Sequence, residues 1–180
     1  TLGMMLSLTK RIGETDKALR AGQVVDRIAY MGDDLYGKTV GVVGFGNTGT
    51  RVAELCGGLF AMTVLAYDPY VGSNAIAARG ARKVELAELL QGADFVSLHC
   101  PLTVETRRMI GEREYAAMKK GAFFLTAARG GIHDEIALFE ALRSGHLAGA
   151  GVDVWEEEPP PAEHPLLTLP TVIASPHTAG

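Results

Sequence analysis

Six short segments of near-continuous apolar character punctuate the chain: Thr39–Phe45, Thr63–Asp68, Asp94–His99, Gly121–Ala128, Leu147–Trp155 and Thr171–Pro176. None alternates polar with apolar residues as a half-solvated strand does, so the pattern predicts strands buried on both faces. Segments of helical periodicity lie between them: Asn47–Phe60, Glu85–Gly92, Glu112–Gly121 and His133–Gly145. Gly92 and Gly145 read as helix stops, and Asp134 as an N-cap or first-turn acid. Strands alternating with helices predict an α/β fold with a parallel sheet and right-handed crossovers. At the N-terminus, Leu2, Met5, Leu6, Ile12 and Leu19 predict one amphipathic helix, followed by a glycine-punctuated loop over residues 22–37. The Glu156–Pro161 run, EEEPPP, predicts a rigid loop.

Composition narrows the classes. The 180 residues suffice for one well-filled core. A net charge of −4 with no basic run argues against nucleic acid or anionic membrane as partners. The apolar stretches near Leu2–Leu8 and Ala122–Ala128 are too short to span a bilayer. The N-terminal stretch also lacks the basic lead and cleavage pattern of a signal peptide. Cys56 and Cys100 lie far apart, with no zinc-type spacing, and read as two reduced thiols of a cytoplasmic protein.

One segment carries cofactor chemistry. Gly44, Gly46 and Gly49 in GFGNTG have G-x-G-x-x-G spacing directly after a predicted strand and at the start of a predicted helix. The first glycine permits a tight turn, the second admits a pyrophosphate to the backbone, and the third allows close helix–strand contact. The amides of Asn47 and Thr48 would then face the phosphates. Asp68 closes the next predicted strand, where an acid can bind both ribose hydroxyls of NAD and repel the extra phosphate of NADP. A methyltransferase can also use a glycine loop and a strand-end acid, but nothing later in the chain fits one.

Three later residues share a position. Arg129 follows one predicted strand, Glu158 lies in the loop after Asp153 at the end of the next, and His177 follows the last. Taken singly, each reads as a surface charge or loop residue. Ligands of open α/β sheets bind outside the carboxyl ends of strands, so the fold would draw the three to one crevice.

These residues sit in stretches that together resemble the cofactor domain of the D-isomer-specific 2-hydroxyacid dehydrogenases, the family of D-lactate, phosphoglycerate and glyoxylate/hydroxypyruvate enzymes. The matching stretches are GKTVGVVGFGNTG, AYDPY, VSLHCPLTVETRRMI, MKKGAFFLTAARGGIHDEIAL, AGAGVDVWEEEPP and SPHTAG, in family order over nearly the whole chain. The resemblance implies a Rossmann-like, doubly wound, three-layer αβα fold. It implies an interdomain or dimerisation helix over residues 1–22 and an NAD-binding domain over residues 23–180, with the family's second, substrate-binding domain absent from this chain. It assigns Arg129 to the substrate carboxylate and carbonyl, His177 to acid/base work, and Glu158 to its carboxylate partner. Asn47 and Thr48 match pyrophosphate contacts, Asp68 the ribose contact, and Cys100 and Pro101 the wall by the adenosine half. Ala127, Ala128, Arg129 and Asp153 match positions around the nicotinamide, and His177, Thr178, Ala179 and Gly180 the closing segment there. Thr126 stands where the family often has Asn, and His133 where an apolar residue is common. Formate dehydrogenases of the wider group carry Gln at the position of Glu158, so Glu158 argues against formate.

The implied function is hydride transfer between NAD(H) and a small D-2-hydroxy or 2-keto acid, in a homodimer. A guanidinium fork would fix the carboxylate, and a carboxylate-supported imidazole would exchange the alkoxide proton. The alternative is an NAD-sensing interaction protein, like the transcriptional corepressors that share this fold and the Arg/Glu/His trio.

Overall fold

The computed structural model describes residues 1–24 and 26–178. Seven strands form one sheet: β1 (Thr39–Val43), β2 (Thr63–Tyr67), β3 (Arg82–Lys83), β4 (Phe95–Leu98), β5 (Phe123–Thr126), β6 (Gly149–Val152) and β7 (Val172–Ala174). Every pairing is parallel, in the order β3-β2-β1-β4-β5-β6-β7. The order reverses between β1 and β4, which makes their C-terminal ends the topological switch point of a doubly wound, Rossmann-like fold.

The crossovers carry α3 (Asn47–Phe60), α4 (Ser73–Ala77), α5 (Leu86–Gly92), α6 (Glu112–Ala117) and α7 (Glu135–Arg143). Both sheet faces are covered. Val40, Val42, Phe95 and Leu125 point into one layer with Val52 and Cys56 of α3. Val43, Val96, Leu98, Phe124 and Val152 point into the other with Leu89 of α5, Tyr115 of α6 and Leu138 of α7. Successive strand residues therefore bury opposite faces, which is why the sequence shows runs instead of alternation. Fully burying one such side chain contributes about 1.5–3 kcal/mol.

The N-terminal segment forms two helices, α1 (Leu2–Thr9) and α2 (Ile12–Arg20), not the single helix expected. Arg11 breaks it with a left-handed φ of 52°. Its guanidinium is held by Glu14 at 2.7 Å and donates to Ala29 O at 2.6 Å, so side-chain bonds offset the strained backbone. α1 packs on the sheet, with Met4, Met5 and Leu8 buried. Glycines in β6 make the room: a Cβ on Gly151 would lie 2.8 Å from Met4 Cβ, and one on Gly149 3.1 Å from Leu8 Cδ2.

The six expected strands all form, each ending a little short of its apolar run. β3 and α4 carried no sequence signal. Asp134 caps α7, accepting from the amides of Ile136 and Ala137, and Gly145 ends that region with φ 72°. Gly92 does not act as a left-handed stop: α5 runs through it and ends where Ala93 turns extended. Residues 22–37 form turns and loop wherever described.

His133 is fully buried beside Phe124, with Nδ1 3.1 Å from the Tyr115 hydroxyl and Nε2 unpartnered among the described residues. Burial pushes its pKa from 6.5 down to about 4. Between those values the unfolded chain binds a proton that the folded chain refuses. Stability is therefore full above pH 6.5 and falls toward pH 4, by about 3 kcal/mol for this residue. The urea midpoint of His133→Leu should be less sensitive to pH over that range than the wild-type midpoint, and an unchanged pH slope would refute the assignment.

Candidate active site

The C-terminal ends of β1, β4, β5 and β6 open on a cavity of about 920 Å³. Its lining brings together Thr48, Cys100, Pro101, Ala127, Ala128, Arg129, Glu158 and His177, residues drawn from most of the length of the chain. The chain reaches it from four strand ends because parallel pairing points them all the same way.

The glycine turn after β1 is built as its spacing predicts. Gly44 has φ 91°, and a Cβ there would lie 2.5 Å from Cys100 N. A Cβ on Gly49 would run into Gly44 O, so only glycine lets α3 start this close to the strand. Gly46 differs: nothing lies within 4 Å of where its Cβ would be. α3 begins at Asn47 with no side chain capping its first amides. Open space against backbone at an uncapped helix start fits a dinucleotide pyrophosphate. Thr48 faces the main cavity, while Asn47 lines a smaller one with Thr50, Arg51 and Arg79.

Asp68 lies at the end of β2 and takes hydrogen bonds from three backbone amides. Oδ2 accepts from Phe45 N at 2.8 Å, and Oδ1 from Tyr70 N and Val71 N at 2.8 and 3.2 Å. It thus holds the glycine turn as well as its own. Oδ1 is filled by its two donors, whereas Oδ2, with one donor, keeps lone-pair capacity for a ribose hydroxyl.

On the other side of the switch point stands a His–carboxylate pair. His177 Nδ1 is 2.8 Å from Glu158 Oε2, and Glu158 Oε1 accepts from Trp155 N at 3.1 Å. The hydrogen bond to His177, with that to the Trp155 amide, holds the Glu158 carboxyl below the usual carboxylate range, so it stays ionised. His177 Nε2 is the ring nitrogen that the bond to Glu158 leaves unused. The His177 backbone is left-handed, φ 57°, and its N–H donates to Asp153 O at 2.7 Å. Asp153 is buried, and its Oδ1 accepts from Ser175 Oγ at 2.5 Å and Thr178 N at 2.9 Å. The described bonds of Asp153 therefore fasten the segment that carries His177. Arg129 is exposed on the cavity wall and donates to Ala128 O at 2.6 Å. Ala179 and Gly180 lie outside the described residues.

Sequence reasoning gave no role to His99, Leu102, Arg107, Arg108, Trp155 or Glu156, which also line the cavity. Arg108, another left-handed residue (φ 51°), bridges Asp134 and Glu156 at 3.3 Å. His99 Nε2 is 2.8 Å from Ser97 Oγ, and burial lowers its pKa to about 4. Among the described residues no group of three or more His, Cys, Asp or Glu side chains could hold a metal ion, and no helix is long and apolar enough to cross a membrane.

Residues 2–179 match the model of the D-isomer specific 2-hydroxyacid dehydrogenase, NAD binding domain. The D-3-phosphoglycerate dehydrogenase of Methanocaldococcus jannaschii is 43% identical over 178 residues, 98% of this chain and 33% of that protein. The TT0316 protein of Thermus thermophilus superimposes with a TM-score of 0.90 at 40% identity, over 99% of this chain and 57% of that one. A D-lactate dehydrogenase of Aquifex aeolicus, solved with NAD and lactic acid, gives 0.89 at 32% identity, over 98% of this chain and 57% of that one. The chain thus spans from a third to a little over half the length of these relatives.

Asp68→Ala removes the acceptor for three backbone amides around the cofactor turn. The dissociation constant for NADH, read by fluorescence titration, should rise by about tenfold or more, the scale of one lost charge-assisted contact. Unchanged affinity would separate this carboxylate from the cofactor.

Proposed function

This chain belongs to the D-isomer-specific 2-hydroxyacid dehydrogenases, matched in their NAD-binding domain, and from that premise we propose that it forms the cofactor half of an enzyme interconverting a small D-2-hydroxy acid and its 2-keto acid. The carrying observation is the 2.8 Å contact between His177 Nδ1 and Glu158 Oε2 at the wall that also holds Arg129. NAD(H), when bound, would supply or accept the hydride. Thr48 and the amides opening α3 would hold the pyrophosphate, and Asp68 would hold the adenosine ribose. Ala127, Ala128, Cys100 and Pro101 form the cofactor's wall and exclude water from it.

Arg129 presents its guanidinium fork to the substrate carboxylate. Its positive charge also favours the alkoxide that develops at the neighbouring carbonyl oxygen. In the reductive direction His177 Nε2–H gives its proton to that oxygen, and in the oxidative direction the unprotonated Nε2 takes the proton back. Glu158, kept ionised, stabilises the imidazolium and fixes which nitrogen faces the substrate.

The chain spans only part of its relatives' length, so the reading stops at the 2-hydroxy acid class. A homodimer is the second part of the proposal. Ile12, Leu19, Val24, Ile28, Met31 and Tyr36 are all more than half exposed on and after the N-terminal helices, apolar side chains that pairing would cover. Ile28→Asp should shift the chain toward monomer in analytical ultracentrifugation, and a wild-type distribution would move the interface elsewhere.

In the complete gene product, His177→Ala should cut turnover with a panel of 2-keto acids by about 10²–10⁴-fold. Its NADH affinity should stay within a few-fold of wild type. Equal loss of both would reject His177 as the acid/base. Tight NADH binding with no turnover of any 2-keto acid would reject the enzyme and favour a cofactor-sensing role.

A further inference from the structure

Behind the Glu158 loop lies a second carboxylate–histidine pair that takes no part in the chemistry above. Glu135, the first residue of α7, and His164, just before the short 3₁₀ turn Pro165–Thr168, are 29 residues apart in sequence. Their side chains are only 9% and 12% exposed. His164 Nδ1 accepts from Leu166 N at 3.3 Å, which leaves Nε2 as the donor to Glu135 Oε2 at 3.0 Å. The other oxygen, Oε1, accepts from Glu156 N at 2.8 Å. A buried carboxylate with both oxygens engaged in this way is a fixed acceptor and not a surface charge.

The amide it holds belongs to the loop that presents Glu158. One residue earlier, Trp155 N donates to Glu158 Oε1, and the Trp155 indole donates to Ser175 O at 3.1 Å, two residues before His177. The indole ring also packs edge-on against His164, with centroids 5.3 Å apart. On the opposite flank the loop backbone presses on residue 130, where any Cβ would strike Trp155 O. The Glu156 amide is therefore a tether for a short stretch that carries Glu158 and is bonded to the His177 segment at Ser175.

We infer that Glu135, held in place by His164, is a positioning residue: through the Glu156 amide it sets the 155–158 loop so that Glu158 meets His177. This rests on the acid/base reading proposed above. The positions of Glu135 and His164, away from the glycine turn and Asp68, separate this role from cofactor binding.

The test uses the complete gene product and a double-mutant cycle with Glu158→Gln. Glu135→Ala should lower kcat by about 10–100-fold, the scale of a slight misplacement of a reacting group, while KM for NADH changes less than about threefold. Glu135→Gln, which keeps an oxygen for the Glu156 amide while its NH2 requires the other His164 tautomer at the expense of the 3.3 Å bond from Leu166 N, should recover part of that loss. In the Glu158→Gln background, Glu135→Ala should change kcat less than about threefold, because the group it positions is already disabled. His164→Ala repeats the cycle from the outer end should Glu135→Ala not fold. The same loss in both backgrounds, or a Gln variant no better than Ala, would overturn the inference. Wild-type turnover by Glu158→Gln alone would instead remove the acid/base pair on which it rests.

Discussion

Strands hydrogen-bonded in parallel must all end on one edge of their sheet, and here the candidate site lies along that edge. β1, β4, β5 and β6 lie side by side at the centre of the order, so Gly44, Cys100, Ala127 and Asp153 follow within two residues of neighbouring strand ends. The register is fixed by burial on both faces, since a one-residue slip would exchange the two buried sets. Gly151 and Gly41 reinforce it, because a side chain at either would collide with Met4 or Leu89 of the covering helices. The rigid ladder thus sets where each loop begins, and the loops supply the functional groups.

Two kinds of anchoring finish what the ladder starts. On the cofactor side, glycine conformation and the Asp68 carboxylate shape the turn. On the side of Glu158 and His177, buried carboxylates take hold of backbone: Asp153 binds Thr178 N, and Glu135 binds Glu156 N. Between these fixed amides stand Glu158 and His177, whose left-handed backbone costs on the order of 1 kcal/mol and is held by its own N–H to Asp153 O. A strained residue kept by several bonds is well suited to a task that needs one orientation.

The fold was largely legible because double burial writes itself as continuous apolar runs. The strands stop short of those runs because Phe45, Val154 and Trp155 are buried for loop packing, which periodicity cannot tell from strand burial. β3 consists of Arg82 and Lys83 and pairs only through backbone, so no apolar signal marked it. The break at Arg11 depends on Ala29 and Glu14, contacts invisible to a local pattern. At the site, the glycine spacing was legible, and the convergence of Arg129, Glu158 and His177 on one cavity followed from their shared positions after strands. The contacts of Arg108 and Glu135 were not legible, because their partners, Glu156 and His164, are 48 and 29 residues away in sequence.

The double duty of Asp68 constrains how this protein can change. The carboxylate suited to the adenosine ribose is also the acceptor for Phe45 N in the glycine turn. A replacement that welcomed an additional phosphate would therefore loosen the loop that receives the rest of the dinucleotide. Selection for another cofactor would meet less resistance at Tyr70, which is exposed and contributes only its backbone to this network. Drift in cofactor choice would then be recorded around position 68 sooner than at it.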